Sequence, residues 1–320
     1  MPYRFAITPG MLSICTEITH LLGKYEGLMS PIPQPQLRRL NRIKTIQGSL
    51  SIEGNSLSLD QVTDLIDDKK VIGPSKDILE VKNAITAYAR LREYNPKSTQ
   101  SIRAAHAILM KNLIKDAGQW RKGQVGIIKG TQVSHVAPPA KRIPGLMENL
   151  FSALKQNKSI HPLIRAATAH YEIEFTHPFS DGNGRIGRLW QQVHLLSHHP
   201  LFEYLSVESL IKKKQDDYYK ALEKSDRMGN ASVFVEFSLD VVLKSLKETL
   251  SALRPEPLNS KSRLEKAKEQ FRTSFFTRRA YLDFFKILST ATASRDLKEG
   301  IDLKVLEKKG QHATTQYRFK

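Results

Sequence analysis

Apolar residues return every three or four positions along most of this chain, the spacing that lays them on one face of an α-helix. Thr8-Pro9 can cap and open a first helix, and Pro35 opens a second that carries Leu37, Leu40, Ile43 and Leu50. Ser58-Leu59-Asp60-Gln61 reads as a capping box at the head of a third. Helical spacing continues near residues 75–93, 99–115, 143–156, 162–175, 185–199, 206–225 and 231–253. In the segment from 185, Ile186, Leu189, Trp190, Val193 and Leu196 form one apolar stripe, closed by Pro200. Within this body only residues 124–137 read as extended, with Val125, Ile127, Ile128 and Val133 near Gly123, Gly126 and Gly130. No internal repeat is found. The expectation is an all-α body carrying one β-hairpin.

The pattern changes near residue 254. Residues 254–262, RPEPLNSKS, read as a linker because Pro255 and Pro257 break any helix there. A helix to about Arg272 follows, and Phe276 to Leu282 opens another. Ser289 to Leu297 resembles the recognition helix of a winged helix-turn-helix. Ala293 and Leu297 fit inward packing, while Thr290, Thr292 and Arg295 are expected to face outward as candidate DNA contacts. A hairpin then runs from Leu303 to Lys308, turns around Gly310 and returns from Thr315 to Phe319.

Composition narrows the setting. The chain has 320 residues, 40% of them hydrophobic, which exceeds the usual size of a single core. No run of about eighteen apolar residues occurs, so no membrane span is expected. The start, MPYRFAITPGML, lacks a secretion signal, and Cys15 stands alone, which excludes an internal disulfide and a Cys-rich zinc site. A cytoplasmic location is the simplest expectation. The formal net charge is +18, and Leu258 to Lys320 holds fifteen Lys or Arg against seven Asp or Glu, hence +8. Phosphate backbones attract such a surplus, so DNA is a candidate partner.

The densest chemistry lies in HPFSDGNGRIGR, His177 to Arg188. Asp181-Gly182-Asn183-Gly184 favours a turn, and the helix behind it begins with amides that lack partners, a ready anion site. Arg185 and Arg188 are three residues apart and emerge near one face of the first turn. A histidine beside them can move a proton near neutral pH. Each feature alone has an ordinary structural explanation. Twelve residues that carry all of them point to a polyphosphate cradle beside a base.

This segment resembles the Fic family motif HPFx(D/E)GNGRxxR at every fixed position. The resemblance implies a Fic-type helical bundle with a β-hairpin flap, here followed by the winged-helix domain of many longer bacterial members. It divides the chain into an N-terminal helical region (1–95), a catalytic core (96–253), the linker (254–262) and the winged-helix domain (263–320). It makes His177 the general base and gives Asp181 a Mg²⁺ ion on the phosphates of ATP. Gly182, Asn183 and Gly184 become the anion hole, and Arg185 and Arg188 the grip on the β- and γ-phosphates. The implied reaction moves AMP to a Tyr, Thr or Ser hydroxyl of a target protein, itself included. Residues 123–150 resemble the flap and the turn and helix after it. Gly130, Thr131, Gln132, Val133, Ser134, His135 and Val136 would pair with the target's main chain.

Upstream, Ser49 to Asn55 fits the family's inhibitory pattern (S/T)xxxE(G/N) through Ser49, Glu53 and Gly54. Ser49 and Glu53 share a helix face, and Gly54-Asn55 is a natural stop. By resemblance, Glu53 pairs with Arg188 and fills the space of the γ-phosphate, so that the enzyme inhibits itself. Three other expectations stand beside this one: transfer of UMP or phosphocholine, removal of AMP, and a DNA-binding regulator that senses nucleotide. Related proteins often dimerise through helical surfaces, which makes a homodimer a further expectation. Of the other histidines, His198-His199 reads as an exposed helix end and His170 as a packing or hydrogen-bonding residue.

Overall fold

A computed structural model describes residues 5–28, 35–124, 126–129, 132–157, 159–253, 259–285, 288–311 and 315–320. They fall into two compact units, Met1–Leu253 and Arg254–Lys320. In the first unit the helices are α1 (Pro9–Leu28), α2 (Pro35–Ile52), α3 (Leu59–Ile66), α4 (Ser75–Ala89) and α5 (Thr99–Leu109). An antiparallel hairpin, β1 (Gly126–Lys129) and β2 (Gln132–Val136), comes next. The unit continues with α6 (Ile143–Gln156), α7 (Pro162–Thr176), α8 (Asn183–His198), α9 (Val207–Lys213), α10 (Gln215–Met228) and α11 (Ser232–Leu253).

The expected helix starts are built as the sequence suggested. The Thr8 hydroxyl accepts from the Met11 amide (3.1 Å) at the head of α1. At α3 the Ser58 hydroxyl accepts from the Gln61 amide (3.2 Å), and the Gln61 side chain accepts from the Ser58 amide (2.9 Å). Three boundaries differ from the periodic pattern. Helices α4 and α5 stop early, at Ala89 and Leu109. Residues 206–225 form two helices, because the backbone leaves the helical conformation at Lys214 (φ −113°, ψ 32°).

Helices α7 and α8 pack against each other in the middle of the unit. Gly187 makes the close approach possible: a Cβ there would stand 2.9 Å from Cδ2 of His170. Trp190 is fully buried among Ile102, Phe151 and Ile173 on one side of the pair. Met11, Phe202, Phe234 and Leu246 belong to the cluster on the other side. Burying one such large side chain stabilises by roughly 1.5–3 kcal/mol. The helix that carries the two arginines is therefore anchored in a buried core.

The second unit comprises α12 (Ser260–Phe271), α13 (Arg278–Phe285), α14 (Thr290–Asp302) and the antiparallel strands β3 (Leu306–Lys309) and β4 (Gln316–Phe319). Its core gathers Leu264, Tyr281, Ala293, Leu297, Leu306 and Phe319. The first strand begins at Leu306 rather than Leu303 because α14 runs to Asp302 and Lys304 turns the chain at φ +59°. Asp296 is buried on α14, where Arg263 grips it with two bonds (2.5 and 2.6 Å) and the Tyr281 hydroxyl donates to it (3.2 Å). Thr290 and Arg295 are exposed. Thr292 is half-buried, and its amide donates to the capping hydroxyl of Ser289 (3.1 Å).

Candidate active site

His177 sits at the joint between α7 and α8. It is the C-cap of α7 and adopts a left-handed backbone (φ +46°), uncommon for a residue with a Cβ. Its amide donates to the Ile173 carbonyl (3.0 Å), and Nδ1–H donates to the Glu174 carbonyl (2.7 Å). A neutral imidazole that donates through Nδ1 keeps the lone pair on Nε2. This orients the ring and leaves Nε2 as the basic atom.

The loop after His177 is closed by Asn183. Its side-chain oxygen accepts from the Phe179 amide and its Nδ2 donates to the Phe179 carbonyl, both at 2.9 Å. What Asn183 can offer an anion is thus its backbone amide. The first intrahelical bond of α8 runs from the Ile186 amide to the Gly182 carbonyl (3.0 Å), so the amides of Asn183, Gly184 and Arg185 precede it. Gly182 is needed for two reasons. Its φ is +82°, and a Cβ would lie 2.7 Å from Sδ of Met110.

Beneath this loop lies His106, which sequence reasoning did not single out. It accepts at Nδ1 from the Gly118 amide (2.9 Å), so Nε2 carries the proton and donates to the Asp181 carbonyl (2.8 Å). Burial pushes its pKa down to about 4. The ring stacks on Phe179 with centroids 3.6 Å apart. A neutral histidine therefore holds the turn at Asp181.

The Asp181 side chain is half-exposed (54%), and Oδ1 accepts from the Gly182 amide (2.6 Å) and from Nη2 of Arg185 (3.1 Å). An accessible carboxylate beside a helix N-terminus suits a hard cation that takes its other ligands from phosphates and water. No group of three or more His, Cys, Asp or Glu side chains is placed to hold a metal among the described residues.

Both arginines are buried, and both are already paired. Arg185 donates from Nη1 to Oε1 of Glu80 on α4 (2.9 Å). Arg188 donates from Nε to the Ser49 hydroxyl (3.1 Å) and from Nη2 to the Ser49 carbonyl (2.9 Å) and Oε1 of Glu53 (2.7 Å). Glu53 lies in the turn just beyond Ile52, where α2 ends, and Gly54 follows it at φ +91°. A Cβ on Gly184 would stand 2.3 Å from Oε1 of Glu53, so the carboxylate rests against the first turn of α8. Nε of Arg185 and Nη1 of Arg188 are buried without a hydrogen-bond partner among the described residues. Orphaned cationic donors beside free helix amides are what an oxyanion would satisfy.

Two further residues bind these parts together. Asn55 donates from Nδ2 to Oε2 of Glu80 (2.9 Å), which joins the turn after α2 to the partner of Arg185. Glu174 is buried, and burial alone would raise its pKa. The Arg188 charge and the polar groups around it outweigh burial and hold it below the usual carboxylate range. The Tyr218 hydroxyl donates to the same carboxylate (2.9 Å).

Of the expected flap, Gly130 and Thr131 lie outside the described residues. Gln132 to Val136 form β2, paired from Gly126↔Val136 to Lys129↔Gln132 with an irregularity between Ile127 and Ile128. Thr290, Thr292 and Arg295 belong to the second unit. No described helix is long and apolar enough to cross a membrane.

A helical body in which a histidine, a glycine turn and two arginines meet at one helix N-terminus defines the class. The chain belongs to the Fic family. The Fic/DOC pattern matches residues 96–195. A Fic family protein from Desulfovibrio desulfuricans is 35% identical, with 99% of this chain and 98% of that one aligned at a TM-score of 0.74. Fic-1 of Caenorhabditis elegans shares the fold at a TM-score of 0.63 and 20% identity over 76% of this chain and 72% of that one. Among curated relatives, protein adenylyltransferase Fic of Nematostella vectensis is 26% identical over 78% of this chain and 60% of its own length. Protein adenylyltransferase fic-1 of C. elegans is 29% identical over 68% and 44%. The chain thus spans about half the length of these curated relatives.

Proposed function

We propose that this chain is a protein adenylyltransferase held inactive by Glu53. The target's hydroxyl oxygen bonds to the α-phosphorus of ATP and gives its proton to Nε2 of His177. The bond from the α-phosphorus to the β-phosphate oxygen breaks, and pyrophosphate leaves. Bound at Asp181, Mg²⁺ would offset phosphate charge. The amides that begin α8 and the guanidinium groups of Arg185 and Arg188 stabilise the same charge. The observation that carries this reading is the lock on His177: with Nδ1–H committed to the Glu174 carbonyl, only Nε2 is basic. Names of the relatives support the same reaction.

In this reading residues 1–95 supply the inhibitory segment and residues 96–253 the catalytic core. The hairpin from Gly130 to Val136 receives the target's main chain, and the single cysteine fits the cytoplasm. The test uses ATP labelled on the α- or the γ-phosphate, with Mg²⁺ and cell lysate, and the Glu53→Gly protein. Protein-bound label from the α-position alone supports AMP transfer. Label from the γ-position would replace it with phosphoryl transfer.

A second reading concerns residues 263–320. Thr290 and Arg295 are exposed on α14, and Lys308 and Lys309 stand on the adjoining hairpin. These groups support a winged helix that contacts DNA through its phosphates. A gel shift at near-physiological salt tests it, and failure to shift any duplex argues against it.

A further inference from the structure

Arg121 is a buried arginine that donates only to main-chain carbonyls in all its side-chain bonds among the described residues. Nε reaches the His177 carbonyl (2.6 Å), Nη1 the Gly123 carbonyl (2.8 Å), and Nη2 the carbonyls of Pro138 (2.5 Å) and Thr176 (3.5 Å). Its own amide donates to the Pro178 carbonyl (2.9 Å). Three parts of the chain meet on this one guanidinium. Gly123 precedes β1, Pro138 follows β2, and Thr176 to Pro178 is the joint that carries the base.

Physical reasons make an arginine suitable here. The carbonyls of Thr176 and His177 end α7, where the helix dipole is negative and a cation is favoured. His177 holds a left-handed backbone, a conformation that persists only when its surroundings over-determine it. Arg121 supplies one of those constraints. Its planar fork can reach carbonyls in several directions at once, which a lysine ammonium cannot reproduce. Burial lowers its pKa.

We propose that Arg121 is a positioning residue that fixes the two roots of the flap relative to His177, and so sets where a flap-bound hydroxyl lies with respect to Nε2. The proposal rests on the adenylyltransferase reading above. If the tether loosens, nucleotide still binds at α8, but the acceptor is misplaced. A misplacement of about 1 Å can cost on the order of a hundredfold in rate.

The experiment compares Glu53→Gly with Glu53→Gly/Arg121→Lys and Glu53→Gly/Arg121→Gln. Incorporation of α-labelled ATP into the chain itself and into lysate proteins is measured, together with binding of a non-hydrolysable ATP analogue. Hydrogen–deuterium exchange is followed over residues 123–138. The expected result for Arg121→Lys is unchanged analogue binding, faster exchange in 123–138, and incorporation lower by roughly tenfold or more. Equal incorporation, or exchange as slow as in the parent, overturns the proposal. Loss of analogue binding in both variants also overturns it, because the role is then support of the whole fold. If the Glu53→Gly parent incorporates no label, the adenylyltransferase reading fails, and faster exchange in Arg121→Lys then reports only a structural tether.

Discussion

Glu53 and Arg188 are 135 residues apart in the chain, yet Oε1 of the one accepts from Nη2 of the other at 2.7 Å. The same oxygen lies where a Cβ on Gly184 would have to go, 2.3 Å away. One carboxylate thus occupies both a guanidinium and the face of a helix N-terminus that suits an anion. Burial lowers the pKa of Arg188, and the charges around it, that of Glu53 foremost, outweigh burial and raise it. In the proposed reaction that carboxylate and a nucleotide phosphate compete for one place.

Ser49 shares the hold on Arg188, and Ser49→Ala should weaken it in part. The substitution removes the hydroxyl that accepts from Nε but keeps the Ser49 carbonyl and Glu53. One hydrogen bond is worth about 1 kcal/mol net. AMP transfer by Ser49→Ala should therefore rise about fivefold over the native protein in a labelled-ATP assay. A rise as large as that of Glu53→Gly would mean that Ser49 carries the inhibition.

Glu80 should matter to stability. It is buried, accepts from Arg185, and also receives Asn55. Glu80→Ala leaves the Arg185 guanidinium buried with only the exposed Asp181 as a charged neighbour among these contacts. Breaking a buried pair in this way costs about 3–5 kcal/mol. Urea titration followed by circular dichroism should show a loss of that order; a loss below about 1 kcal/mol would place the pair in the class of surface ion pairs.

His106 predicts a pH dependence. Burial pushes its pKa from 6.5 down to about 4. Between those values the unfolded chain binds a proton that the native protein does not. The contribution of neutral His106 is therefore present above pH 6.5 and is lost as pH falls toward 4. The stability gap between the native protein and His106→Gln should narrow over that window in urea titrations at successive pH values. A constant gap would contradict a buried neutral imidazole.

Asp296 should be the stability hinge of the second unit. Arg263 and Tyr281 both donate to it, and it is 1% exposed. Asp296→Ala removes the acceptor shared by the half-buried Arg263 guanidinium and the buried Tyr281 hydroxyl, with an expected cost of about 2 kcal/mol. Hydrogen exchange in residues 259–320 should accelerate, and unchanged protection would refute that role.

Helices and hairpins were legible because their signals are local. Thr8, Ser58 and Gln61 cap where the sequence suggested, and the glycine turn at 181–184 feeds a helix. The break at Lys214 was not legible, since no proline or glycine marks it. Nor were Glu80, His106 and Arg121. Each is an ordinary polar residue in a helix or loop, and its partners lie 105, 75 and 56 residues away in Arg185, Asp181 and His177. The motif residues announced themselves by density, whereas the groups that hold them in place depend on the fold. Glu53 itself lies past the end of α2 rather than on its last helical turn, a distinction that spacing alone does not draw.

The central claim, that Glu53 silences an AMP-transferring site built on His177, is tested most directly by one rate. Incorporation of α-labelled ATP is followed for the native protein, Glu53→Gly and Glu53→Gly/His177→Ala under identical conditions. The account predicts a rise of about tenfold or more on Glu53→Gly, equivalent to about 1.4 kcal/mol or more of released inhibition, and its loss in the double variant. Equal incorporation by the native and Glu53→Gly proteins, or label that persists without His177, would contradict it.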